Sequence, residues 1–264
     1  SGGLDSRLIL SLAKQHTEVK AYSFYNEKNV EYRIAEKIAN ALGVSFIPLK
    51  RDKEFYGRTA RDGVRISGGM GDFANNHFLG FVEKLLSLGI NNNLAGFYCD
   101  YLFKGLVADK HTNKLTRYSR VGGFNYFPYT PEYHYRTKYF DEAEARLKVY
   151  FPMELRNDFS EQGCLLKENI RIFPFSYEPD NQETIIPQKI LGWYLPIADN
   201  DIIDVYNKIP IKFKVNGTLY SKMVKTFCDK SLQNIPYANS GIKVGSNLMS
   251  LAIAYNVRSI QRKI

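Results

Sequence analysis

Six residues, Ser1-Gly2-Gly3-Leu4-Asp5-Ser6, run straight into Arg7-Leu8-Ile9-Leu10-Ser11-Leu12-Ala13-Lys14, and the apolar spacing of the second stretch predicts a helix. This opening constrains the fold more than any other part of the chain. Glycines let a backbone approach an anion without a Cβ in the way. The first N–H groups of a helix have no internal partner, and the helix dipole adds partial positive charge there. A small hydroxyl residue, two glycines and an acid at a helix start therefore make a place for phosphate. The G-x-x-x-x-G-K-S/T pattern of the Walker loop is absent. The plainer reading is a Gly-Gly turn with Asp5 or Ser6 capping the helix.

Composition narrows the class. The 264 residues suffice for one large α/β domain or two small ones, and 44% hydrophobic with 24% charged residues is ordinary for a globular protein. No apolar run reaches the length a membrane span needs, so no membrane partner is expected. Cys99, Cys164 and Cys228 are too widely spaced for a C-x-x-C site or a disulfide framework, which suits a reducing, cytoplasmic compartment. His16, His77, His111 and His134 show no zinc-like spacing. The net charge is +9, but Lys and Arg are scattered, which argues for a solvated surface over a nucleic-acid groove.

Along the chain, the first helix is expected to end near His16. A strand over Val19–Phe24, a helix from Asn29 to Leu42 stopped by Gly43, and a strand over Val44–Leu49 follow. This alternation predicts a parallel, doubly wound α/β sheet. Ligands in such sheets sit at the carboxyl ends of the strands, so Ser23 and Phe24 are candidates for an adenine edge. A helix over 53–66, a turn at Gly68-Gly69-Met70-Gly71-Asp72, a helix from about Phe78 to Leu88 and a third strand at Asn93-Leu94-Ala95-Gly96 come next. Asp100 stands just beyond that strand, where it and Asp5 could share Mg²⁺ on ATP phosphates; alternatively it caps a helix. Residues 107–136 read as a long loop or lid, 141–150 and 153–159 as helices, and 164–190 as ambiguous. Leu195–Pro210 reads as a turn, a short helix and a proline stop, and Thr218–Asp229 as a further helix. The first hundred or so residues are thus expected to be α/β and the rest mainly helical, packed as one unit.

The opening matches the S-G-G-x-D-S loop of the PP-loop ATP pyrophosphatases. Gly96-Phe97-Tyr98-Cys99-Asp100-Tyr101-Leu102-Phe103-Lys104-Gly105 resembles the G-x-G-x-D-E-L-F-x-G stretch of the asparagine synthetase family, which includes β-lactam synthetase and lasso-peptide cyclases. Leu195–Pro210 and Ile235–Gly241 resemble that family's later segments. The resemblance implies the PP-loop (adenine nucleotide alpha hydrolase-like) fold and an AMP-forming ligase. Such an enzyme activates a carboxylate with ATP and Mg²⁺ for attack by ammonia or an amine. It implies that Ser1, Gly2, Gly3 and Ser6 hold pyrophosphate, that Asp5 and Asp100 carry Mg²⁺, and that Ala95 and Gly96 lie by the ribose and adenylate. It also implies an apolar strand feeding the loop and, further N-terminal, a glutaminase domain supplying ammonia.

The chain departs from the family pattern at Tyr98, Tyr101 and Lys104, and Phe97 adds bulk. Near the family's C-terminal lysine this chain has Asn239-Ser240, with Lys243 the nearest candidate for the catalytic role. Two further readings stay open: a degenerate nucleotide-binding protein, and a PP-loop tRNA-modifying enzyme such as a lysidine synthetase.

Overall fold

A computed structural model describes residues 2–69, 76–99, 102–103, 182–214 and 218–238, with 160, 162, 163, 165, 166, 169, 241 and 243. Ser1, Asp100, Tyr101, Lys104, the lid expected over 107–136 and the helices expected over 141–150 and 153–159 lie outside the described residues. The chain is mixed α/β and forms two compact units. One holds residues 1–99, 179–203 and 221–264, and the other 100–178 and 204–220.

The first unit opens with helix α1 (Leu4–Ala13), strand β1 (Lys20–Tyr25), helix α2 (Val30–Leu42) and strand β2 (Ser45–Lys50). β1 and β2 pair in parallel, with Lys20 opposite Ser45 and Phe24 opposite Leu49. The local chemistry explains the boundaries. The Asn29 side chain accepts the Tyr32 N–H and starts α2, and Gly43 ends it at φ 63°, a left-handed conformation that glycine adopts at little cost. Helix α3 (Phe55–Ser67) ends the same way at Gly68, φ 66°. The helix expected over Phe78–Leu88 is a 3₁₀ turn, Leu79–Phe81, continued by α4 (Val82–Ser87).

Strand β3 (Asn92–Leu94) pairs in parallel with β4 (Gly192–Tyr194), which follows helix α5 (Gln182–Ile190). The C-terminal half, expected to be mainly helical, therefore supplies a strand to the α/β unit. The strand bonds extend past the ladder, because the Ala95 N–H donates to the Tyr194 carbonyl at 2.9 Å. Beyond lie a 3₁₀ turn at Pro196–Ala198, helices α6 (Asn200–Asn207), α7 (Ile211–Lys214) and α8 (Thr218–Phe227), and a 3₁₀ turn at Lys230–Leu232.

Period-two alternation splits β1 and β2 between two cores. Tyr22, Phe24, Ile47 and Leu49 join Phe55, Phe78, Phe81 and Leu85 on one face. Ala21 and Val44 join Ile34, Ile38, Leu42 and Leu232 on the other. Among the described residues of the second unit, Phe103 meets the buried Tyr206 ring edge-on at 5.2 Å, and the Lys214 ammonium sits 3.8 Å above that ring.

Candidate phosphate loop and its surroundings

The loop at the start of α1 is built by close packing around small residues. Gly3 takes the N-cap position of α1 in extended conformation, and no side chain caps it. The capping by Asp5 or Ser6 that the plainer reading offers is thus not what starts the helix. Gly2 is buried, and a Cβ there would come within 2.8 Å of the Ala238 Cβ. A Cβ on Gly96 would come within 2.7 Å of the Asp5 Cβ. Larger residues at either site would push the loop from its support. Gly96 thereby sets the end of β3 directly beside the first turn of α1, which brings Asp5, Ser6, Ala95 and Gly96 together.

Arg7 holds the loop from behind. Its side chain is wholly buried and crosses to the far end of the sequence. One terminal nitrogen donates to the Ile235 carbonyl at 2.6 Å; the other donates to Pro236 at 2.7 Å and more loosely to Gly2 at 3.4 Å. The guanidinium also lies 4.8 Å from the centre of the Tyr237 ring. No ion pair to Arg7 is formed among the described residues, so burial pulls its pKa down; the carbonyls accept from its two terminal nitrogens, while its buried Nε has no hydrogen-bond partner among the described residues. The Ile235–Ala238 segment, singled out by sequence for another reason, is thus tied to the loop. The Arg7 role was not read from sequence. The signal was available, since Arg7 shares the buried stripe of α1 with Leu8 and Ser11.

Ser6, Ser23, Phe24, Ala95 and Gly96 border one cavity of about 960 Å³. Ser23 is buried, its hydroxyl 3.5 Å from the Phe24 carbonyl. The Phe24 ring is committed to an aromatic cluster, 5.0 Å from Phe78 and 5.4 Å from His77. At the carboxyl ends of β1 and β2, Arg51 donates to the Tyr56 hydroxyl at 2.6 Å and lies 3.1 Å from His77 Nδ1. Burial, helped by the Arg51 charge, pushes the His77 pKa below its ordinary value.

Tyr98 is 4% exposed and holds φ at 66°, so a tyrosine occupies a left-handed position that favours glycine. Phe103 does the same at φ 64°. Lys243 is exposed. Burial pushes the Cys228 thiol up to about 11, which leaves it protonated and unsuited to nucleophilic attack at neutral pH. Among the described residues no three His, Cys, Asp or Glu side chains gather as a metal site, and no helix is long and apolar enough to cross a membrane.

Residues 1–55 match the sequence family described as asparagine synthase. A search of curated proteins found no match.

Proposed function

Starting from residues 1–55 as those of an asparagine synthase family member, we propose that this protein is an ATP-dependent, AMP-forming amide ligase on a doubly wound PP-loop sheet. The observation that carries the proposal is the seating of Asp5 and Ser6 against Gly96, with the Gly2–Gly3 backbone opening α1 alongside. Phosphate, helix start and strand end then share one crevice, as the chemistry requires.

On this reading a carboxylate oxygen of the substrate attacks the α-phosphorus of ATP, the bond to the β-phosphate oxygen breaks, and pyrophosphate leaves. An ammonia or amine nitrogen then attacks the acyl carbon of the adenylate, gives up a proton, and AMP leaves with the acyl oxygen. The Gly2 and Gly3 backbone with the Ser1 and Ser6 hydroxyls binds pyrophosphate; Ser23, Phe24, Ala95 and Gly96 flank the nucleoside. Asp5 suits Mg²⁺, being a hard oxygen donor at a helix start where phosphate oxygens gather, and Asp100 is its proposed companion. The ion would neutralise charge on the phosphates. Lys243 is the lysine offered for charge developing near the acyl group. Ammonia would come from a glutaminase domain, and catalysis would rest on positioning and electrostatics.

The left-handed Tyr98 favours a second reading, a nucleotide-binding protein without ligase activity, because a buried ring stands where the family pattern has glycine. The experiment is pyrophosphate release with ATP, Mg²⁺ and a panel of carboxylic acids including aspartate, with and without glutamine or ammonia. Stimulation by one acid is expected. ATP binding with no stimulated release by any acid would favour the second reading.

A further inference from the structure

The carboxyl end of β2 carries a charged side chain that the fold uses only in part. Arg51 follows β2, and its backbone N–H donates to the Tyr25 carbonyl at the end of β1 at 2.8 Å. Its Nη1 donates to the Tyr56 hydroxyl at 2.6 Å and lies 3.1 Å from His77 Nδ1. The Tyr56 hydroxyl is 2.9 Å from the same ring nitrogen. A guanidinium can only donate, so Nδ1 accepts, and the Tyr56 hydroxyl, which accepts from Arg51, donates to it. Burial, with the Arg51 charge, holds the His77 pKa below its ordinary value, so the ring stays uncharged at neutral pH with its proton on Nε2.

The other edge of the guanidinium is left over. Arg51 Nε is buried without a partner, and Nη2 bonds no described residue. Among the described residues Arg58 pairs with Asp52 and Glu54, and Arg65 with Asp62, whereas Arg51 forms no ion pair. Asp52, its neighbour in sequence, is committed to Arg58 at 2.7 Å. Holding Tyr56 and His77 needs no charge, since a neutral donor would serve both acceptors. A half-buried cation with unused N–H groups and no acid is costly unless something else brings the acceptors.

Place and shape indicate what does. Arg51 and His77 border the cavity that also meets Ser23, Phe24 and Gly96. Ligands of parallel sheets gather at the carboxyl ends of the strands. The Nε–Nη2 edge offers parallel N–H groups, the fork that matches carboxylate and phosphate oxygens. We propose that Arg51 is the recognition group of an oxyanion subsite, distinct from the loop at Gly2–Gly3, which takes a carboxylate or phosphate group on its Nε–Nη2 edge. Tyr56 and His77 are its positioning residues, because they occupy Nη1 and so turn the opposite edge toward the ligand. The subsite adds to the ligase reading and does not depend on turnover.

His77 touches Arg51 and therefore reports occupancy. The chain should be titrated with malonate and, separately, with inorganic phosphate at constant ionic strength, with the His77 ring resonances followed by NMR and the exposed His16 as control. A saturable shift at His77 and not at His16 is expected with at least one of them, and the anion that binds more tightly names the group. Arg51→Gln should weaken that binding about tenfold or more, and Arg51→Lys should recover only part, because an ammonium lacks the fork. Amide exchange in β1 and β2 checks that each variant keeps the fold; where Arg51→Gln does not, Arg51→Lys decides alone. No saturable shift with either anion, the same response at His16, or an affinity unchanged by these substitutions would overturn the proposal. Pyrophosphate release is a separate measurement, so a failed ligase assay leaves the result of this titration standing.

Discussion

Arg7 shows how one buried side chain organises the candidate phosphate loop. Arg7→Met removes the donors to Ile235, Pro236 and Gly2 and leaves carbonyls without partners. Charged hydrogen bonds contribute about 1.5–3 kcal/mol each, and the cost is not additive, so a loss of about 3 kcal/mol in urea denaturation is expected. Arg7→Lys should recover only part, because an ammonium cannot fork to two carbonyls. At Tyr98 the usual ranking of alanine over glycine should invert. Both substitutions lose the ring, but only glycine tolerates φ 66° freely, so Tyr98→Gly should be more stable than Tyr98→Ala by about 1 kcal/mol in the same assay. His77 predicts a pH effect with a definite sign. Its folded pKa lies below the ordinary 6.5, so the unfolded chain binds more protons between those values, and stability falls as pH drops below about 6.5. Comparing unfolding at pH 7.5 and 5.5, His77→Gln should flatten that slope.

Among elements, α2 was the most legible from sequence. Asn29 caps it, Gly43 stops it, and the apolar spacing between them fixes its buried face. Asn29→Ala should cost about 1 kcal/mol, read as a lowered thermal midpoint. β1 and β2 were legible for the same reason, since period-two alternation over 6 residues each leaves little choice of face. β4 was not, because 3 residues carry too little periodicity and Gly192 disguises the strand. α5 was hidden by Pro187 inside it. The candidate site was legible where it rests on local backbone chemistry, at Gly2, Gly3 and Asp5. What escaped was long-range. The closeness of Gly96 to Asp5 and the bonds of Arg7 to Ile235 and Pro236 depend on how distant segments fold back, which no window of sequence encodes. Tyr98 was noticed as a departure from a pattern, but its left-handed backbone is a property of the fold.

At the scale of the whole molecule, a net charge of +9 raises the question of nucleic acid. Nonspecific attraction to phosphate backbones weakens steeply with salt. With basic residues dispersed, tRNA retention on a filter should be weak and should vanish between 50 and roughly 200 mM salt; retention that survives would revive the tRNA-modifying reading. The bond from Arg7 to the Ile235 carbonyl joins residues 228 positions apart. A ribosome adding roughly 5–20 residues per second needs about 10–45 s to cover that span. For that interval the nascent chain carries a finished loop sequence without its clamp. The loop that would grip a nucleotide is among the first parts of this stretch to be made and among the last to be secured. A premature stop before Ile235 would release a chain with an intact motif and without the two carbonyls that hold Arg7 most closely.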